Sequence, residues 1–222
     1  MGPFGTEQAS PGCSLSDRMA RVVRKGMKMN AATTPSSDRR MVRTRQSLRK
    51  ALLELLPERT WDELTVQDIC DHANVGRSTF YVHYQNKEEL LSTGLNDLRE
   101  GLQQWAARKQ NDTVRPFQFL DGLIEHMFEQ RRVFCAVIGR RSGYIVQSRF
   151  RELVLQLVSE DLGKIAPAGW ERDATVHYFA GAIFELLSWA VDENTRTAKE
   201  IEQCFQRLSR DVTASLMSDL AR

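Results

Sequence analysis

The sequence predicts an all-α chain of about nine helices. Three observations carry this. Apolar residues recur three or four positions apart in nearly every segment from Asp38 onward. Capping signals of the form Thr/Asn-x-x-Asp/Glu stand just ahead of several of those segments. No stretch alternates apolar and polar residues at period two, so no strand is expected. Hydrophobic residues make up 41% of the 222, enough for a core, and 13 Gly with 6 Pro are too few for a low-complexity chain.

The first helix shows Leu48, Leu52 and Leu55 on one stripe, with Ala51 and Leu56 beside it, and Pro57 stops it. Thr65-Val-Gln-Asp68 caps a second, whose apolar residues are Val66, Ile69, Cys70 and Ala73. Asn74-Val-Gly76 breaks the pattern, and residues 78–84 form a short third helix of about two turns. Asn86-Lys-Glu-Glu89 opens a long helix striped by Leu91, Leu95, Leu98, Leu102 and Trp105, and residues 111–116 are a loop. Leu120, Leu123, Ile124, Met127 and Phe128 mark the next, and residues 133–138 a short one. After the break at Ser142-Gly143, Val146, Phe150, Leu153 and Leu157 mark another. Pro167-Ala-Gly169 separates it from a helix over about 171–192. The box Thr197-Ala-Lys-Glu200 opens the last, with Ile201, Phe205, Leu208, Val212 and Leu216.

Charge is unevenly spread. Residues 1–50 carry 11 Lys and Arg against 3 Asp and Glu, and the rest carries 20 against 26. A basic end on an acidic body points to a polyanionic partner; a solvated tail is the plainer alternative. Residues 1–37 read as a disordered basic extension, and an arm of that kind is expected to follow phosphates or enter a minor groove. The extension lacks an apolar signal core, and the longest apolar-rich run, 178–191, is interrupted by Glu185 and Ser188. No membrane partner is therefore expected, and the cytoplasm is the expected location. Cys13, Cys70, Cys135 and Cys204 show no CxxC pair, and reduced thiols are expected. No Gly-rich phosphate loop, nucleophile elbow or metal-spaced cluster is visible, and His72, His83, His126 and His177 are scattered. No enzyme activity, metal or cofactor is expected.

Residues 65–84 have helix-turn-helix spacing, in which the second helix is offered to a major groove. Val75, Phe80 and Tyr84 can pack back on the first helices, leaving Arg77, Ser78, Tyr81 and Val82 pointing outward. Asn74 stands where the turn needs a left-handed residue. The longer string is more specific: Thr44-Arg45, Leu48, Ala51-Leu52, Leu55-Leu56, Trp61, Leu64-Thr-Val-Gln-Asp-Ile69, Val75-Gly-Arg-Ser-Thr-Phe-Tyr-Val-His-Tyr84 and Asn86-Lys-Glu-Glu-Leu-Leu91. Over residues 40–91 it resembles the DNA-binding domain of the tetracycline-repressor (TetR) family, with Asn74 where that family usually has Gly and Tyr84 where it often has Phe.

The resemblance implies a three-helix DNA-binding domain over 38–85 and a larger helical effector-binding and dimerisation domain over 86–222. The recognition helix would be 76–84. Arg77 would contact a base or phosphate, and Ser78 and Tyr81 base edges, with Tyr84 on the same surface. Thr79, His83 and Lys87 would hold phosphates, and Thr44 and Thr65 would anchor neighbouring ones. Plainer alternatives are a half-buried His83 against the first helix, a surface Lys87 and a partly buried Tyr81. Double-stranded DNA, a second copy of the chain and a small-molecule effector would be the partners.

The C-terminal residues show no signature of their own. The run 178–191 is apolar nearly all round, which calls for burial on two sides. Phe179, Ile183, Leu186, Leu187 and Ala190, with Phe205, Leu208 and Val212 of the last helix, are the expected four-helix dimer seam, and Gly181 and Ala182 would let the helices approach. Trp105, Phe117, His126, Cys135 and Tyr144 are the candidate effector-pocket residues, with ordinary core packing as the alternative for each. The resulting expectation is a ligand-responsive repressor that binds a palindromic operator as a homodimer. The alternative is a helical co-regulator of the same fold that acts through a protein partner.

Overall fold

The computed structural model describes residues 36–108, 116–139, 142–165, 168–193 and 195–219. Of the basic extension expected over 1–37, residues 1–35 lie outside them, while Ser36 and Ser37 open the first helix. Among the described residues there are nine helices and no strand: α1 Ser36–Leu55, α2 Val66–Ala73, α3 Arg77–His83, α4 Lys87–Arg108, α5 Gln118–Glu129, α6 Arg131–Ile138, α7 Tyr144–Leu162, α8 Trp170–Asp192 and α9 Ala198–Asp219.

The helix ends follow local chemistry. α1 stops two residues before Pro57, whose ring disfavours the helical conformation in the residue ahead of it. Thr65 caps α2 through its hydroxyl, which accepts from the Asp68 N–H, while the Asp68 carboxylate accepts from the Thr65 N–H at 2.9 Å. Asn74 closes α2 at φ 52°, ψ 47°, the left-handed conformation the turn requires. At α4 the expected box is displaced by one residue. Asn86 accepts from the Glu89 N–H at 2.8 Å, but Glu89 reaches back to the N–H of Gln85, at 2.6 Å. The Thr197–Glu200 box ahead of α9 forms as expected.

α1 packs on α2, α2 on α3, and α4 leaves this trio to pack against α1, α5 and α7. Arg49 of α1 pairs with Asp97 of α4. α7 and α8 make the most extensive helix pair, and α5, α6 and α9 close round them. The buried side chains form one continuous cluster from Leu48 to Phe205, so packing runs through the boundary expected at 85–86. Phe117 starts α5 at φ 63°, held by its own N–H donating to Asp161 Oδ2 at 2.6 Å and by stacking on Phe179, ring centroids 4.6 Å apart.

α8 departs from expectation in two ways. By length and composition it is the one described helix that passes as a membrane span. Its apolarity is taken up inside the chain, however, because Val176, Phe179, Ala180, Ile183, Phe184, Leu187, Ala190 and Val191 are all buried against neighbouring helices. This also corrects the expected dimer seam. Phe179, Ile183, Leu187 and Ala190, and Phe205 of α9, lie in the core of a single chain, none more than 6% exposed. Two sides of α8 are covered by α5, α6, α7 and α9, so an all-round apolar helix did not need a second subunit to explain these positions. The outward residues are Tyr178, Ala182 and Trp189, with Leu186 half-buried, and on α9 Leu208 and Val212. They recur every three or four positions on α8 and form one stripe.

Candidate nucleic-acid interface

The α2–α3 turn is tight because Val75 donates its N–H to Cys70 O at 2.9 Å and Gly76 begins α3 in extended conformation. Phe80 then anchors α3. It is fully buried and lies edge-on to Tyr81, with Tyr84 tilted against it at 5.8 Å. With Phe80 fixed inward, Arg77, Ser78, Thr79, Tyr81 and Val82 are all exposed. The Arg77 guanidinium donates to Tyr81 Oη at 3.4 Å and lies 5.8 Å from the ring centroid. That hydroxyl raises the Arg77 pKa further, so the two side chains present a fixed cation beside an aromatic edge.

The remaining expected contact residues fall differently. Tyr84 is a core residue, 4% exposed, and burial pushes its hydroxyl pKa up; an outward base contact from it is excluded by its packing on Phe80. His83 is half-buried with Nδ1 shielded, and burial first, then the Arg45 guanidinium, lowers its pKa. Both effects disfavour the imidazolium in the free chain. The Thr44 hydroxyl donates to Arg40 O at 3.0 Å, within its own helix. The Thr65 hydroxyl is engaged in the α2 cap and also donates to Asp68 Oδ2 at 2.5 Å. Thr79 is open to solvent.

Lys87 differs most. Its ammonium donates to the main-chain carbonyls of Trp61, at 2.6 Å, and Leu64, at 2.8 Å, and lies 4.7 Å from the Trp61 ring centroid. Two of its three N–H donors thus brace the loop between α1 and α2 against the start of α4. Trp61 also lies close to the start of α7, because a Cβ added at Gly143 would lie 3.3 Å from Trp61 Cβ. Arg45, which follows Thr44 in the matching string, is exposed on α1 close enough to His83 to depress its pKa.

The five expected pocket residues occupy separate parts of the C-terminal helices. Tyr144 is 85% exposed. Phe117 belongs to the cluster with Phe119, Phe179 and Phe205. Trp105 packs on Gly122, where an added Cβ would come within 3.0 Å of the indole. The Cys135 thiol donates to Val191 O at 3.5 Å. His126 lies edge-on to Phe134 at 5.7 Å. Aromatics at helical spacing are what core packing and pocket lining share, so the pattern could not separate them. A cleft of about 710 Å³ lies instead beside α9, lined by Trp189, Arg196, Glu200, Cys204, Arg207 and Arg210 among others.

His126 gives a pH prediction. Burial lowers its pKa from 6.5 to about 4, and its Nδ1 is shielded without a partner. Above pH 6.5 both folded and unfolded states are neutral. Between 6.5 and about 4 the unfolded state takes the proton and the folded state does not, so stability falls as pH falls. The loss should be about 2 kcal/mol by pH ~5 and about 3 at most. Urea midpoints at the two pH values check this, and His126→Leu should flatten the dependence.

A short helix anchored by one buried aromatic, preceded by a capped helix and a left-handed turn, and presenting a cation, hydroxyls and an aromatic ring, has the architecture of a helix-turn-helix. Residues 48–93 match the family of bacterial regulatory proteins described as tetR. The Bacillus subtilis (strain 168) uncharacterized HTH-type transcriptional regulator YxbF is 53% identical over 57 residues, 25% of this chain and 15% of that protein. The dhaKLM operon transcriptional activator DhaS of Lactococcus lactis is 39% identical over 49 residues, 22% of this chain and 26% of that one. The chain thus spans about a quarter or less of the curated relatives it matches. Among solved structures, a TetR transcriptional regulator from Streptococcus agalactiae 2603V is similar with a TM-score of 0.57 at 26% identity, over 78% of this chain and 96% of that one. The domain match covers residues 48–93, and the described helices share the fold of that regulator.

Proposed function

We propose that the protein is a transcriptional regulator that binds a palindromic operator as a homodimer and acts as a repressor, with its DNA affinity set by an effector in the C-terminal helices. The observation that carries the DNA reading is α3, whose buried Phe80 leaves Arg77, Ser78, Thr79 and Tyr81 as an outward polar and aromatic face. Arg77 suits bidentate contact with guanine O6 and N7, and Tyr81 and Ser78 donate to or accept from base edges. Exposed Arg45 supplies backbone-directed charge nearby.

The dimer reading rests on the outward stripe of α8 and α9. Tyr178, Trp189 and Leu208 are 59%, 47% and 70% exposed, and a Cβ added at Gly181 meets open space. Large apolar side chains aligned on one face favour a covering partner, and a two-fold dimer formed there carries two α3 helices, one for each half-site. The half-sites they read lie about 34–36 Å apart, so an effector that biases the spacing mis-registers one half. Occupancy of a promoter by the dimer blocks polymerase. On this reading the operator is chromosomal and the protein works in the cytoplasm.

The test is a random-oligonucleotide selection with the full chain, followed by binding of Arg77→Ala and Tyr81→Ala to the selected sequence. Each should weaken specific binding roughly tenfold to a hundredfold and relax sequence preference. Recovery of no enriched sequence would sink the reading.

A further inference from the structure

Val82 is 73% exposed in the middle of α3, the most exposed apolar side chain of the helix-turn-helix. At about 100° per residue, Ser78 and Val82 lie about 160° and 200° round the helix from Phe80. These two therefore form the ridge diametrically opposite the buried anchor. Arg77 and Tyr81 flank the ridge on one side, and Thr79 flanks it on the other. A helix laid in a major groove with its anchor face toward the protein puts the opposite ridge deepest. The floor of that groove carries hydrogen-bonding groups at every base pair and one apolar group, the C5-methyl of thymine. A β-branched side chain in a helix is nearly fixed at χ1, so its two methyls are presented with little rotamer freedom left to lose.

We propose that Val82 is a specificity-determining residue that reads a thymine methyl in each half-site. This rests on the DNA-binding reading above and adds a base identity to it. Burial of one methyl between Val82 and thymine corresponds to about 0.8 kcal/mol, or roughly fourfold in affinity per half-site.

The experiment uses the full chain and the operator obtained by random-oligonucleotide selection. Each thymine of a half-site is replaced in turn by deoxyuridine, which removes the methyl and leaves base pairing intact. Wild type should lose about fourfold at one thymine and nothing comparable at the others. Val82→Ala should bind the thymine operator at least about fourfold more weakly and be indifferent to uracil at that same position. Far-UV circular dichroism should be unchanged, since the side chain makes no core contact. Wild type indifferent to uracil at every thymine, or a Val82→Ala protein that keeps the full uracil penalty, overturns the contact while leaving DNA binding in place. A wild-type chain that enriches no sequence overturns the DNA reading and the contact with it.

Discussion

Ile183→Glu is expected to leave no folded protein, and Leu208→Glu a folded chain that no longer dimerises. Ile183 is fully buried in the core of one chain, between α8 and its neighbours. A carboxylate there either ionises without a partner or stays protonated with its pKa displaced by several units. Either cost, added to the lost packing of the isoleucine, reaches the whole stability of a typical domain, about 5–15 kcal/mol. Leu208 is 70% exposed, so a charge at that position changes the stability of the single chain little. Across a two-fold seam it places two carboxylates in an apolar contact with no cation provided. Circular dichroism distinguishes the first outcome and sedimentation velocity at micromolar concentration the second. A Leu208→Glu protein that sediments as wild type while wild type is dimeric would show that the seam lies elsewhere.

The contrast between those two positions shows what the sequence could and could not convey. Periodicity identified α8 as apolar on most faces, but a hydrophobic stripe does not state whether the surface opposite it belongs to the same chain. Ile183 and Leu208 are equally apolar as letters; only the packing of α5, α6 and α7 round α8 separates them. The helix-turn-helix was far more legible because its determinants are local. Thr65 and Asp68 are three residues apart, Asn74 carries its own conformational preference, and Phe80 lies four residues from Tyr84. Each of these formed where the spacing placed it. Lys87 failed for the opposite reason. Its acceptors, the carbonyls of Trp61 and Leu64, lie 26 and 23 residues back along the chain. Main-chain acceptors have no sequence signature, so the lysine read as a free cation beside a helix start.

Lys87→Ala should lower the stability of the DNA-binding helices by about 2–4 kcal/mol and leave the salt dependence of DNA binding unchanged. Each hydrogen bond from a charged donor contributes about 1.5–3 kcal/mol; two would give about 3–6, and the partial exposure of Lys87 brings this down to about 2–4. The carbonyls of Trp61 and Leu64 would be left without this donor under a buried indole, 3% exposed. Lys87→Met keeps most of the aliphatic stem over the Trp61 ring but no N–H, so it should recover packing without recovering the brace. The two variants together separate stem from charge. If instead the ammonium neutralises a phosphate, its removal takes one counterion out of the binding equilibrium, and the slope of log K against log[salt] falls by about 0.9. Measured well below the unfolding midpoint, a slope equal to that of wild type, with a lowered urea midpoint, identifies Lys87 as a positioning residue. It would then hold the α1–α2 loop, and with it Trp61, where the loop comes close to Gly143 at the start of α7. A shallower slope with an unchanged midpoint would assign the ammonium to the DNA backbone and leave the two carbonyl contacts as a resting position it abandons on binding.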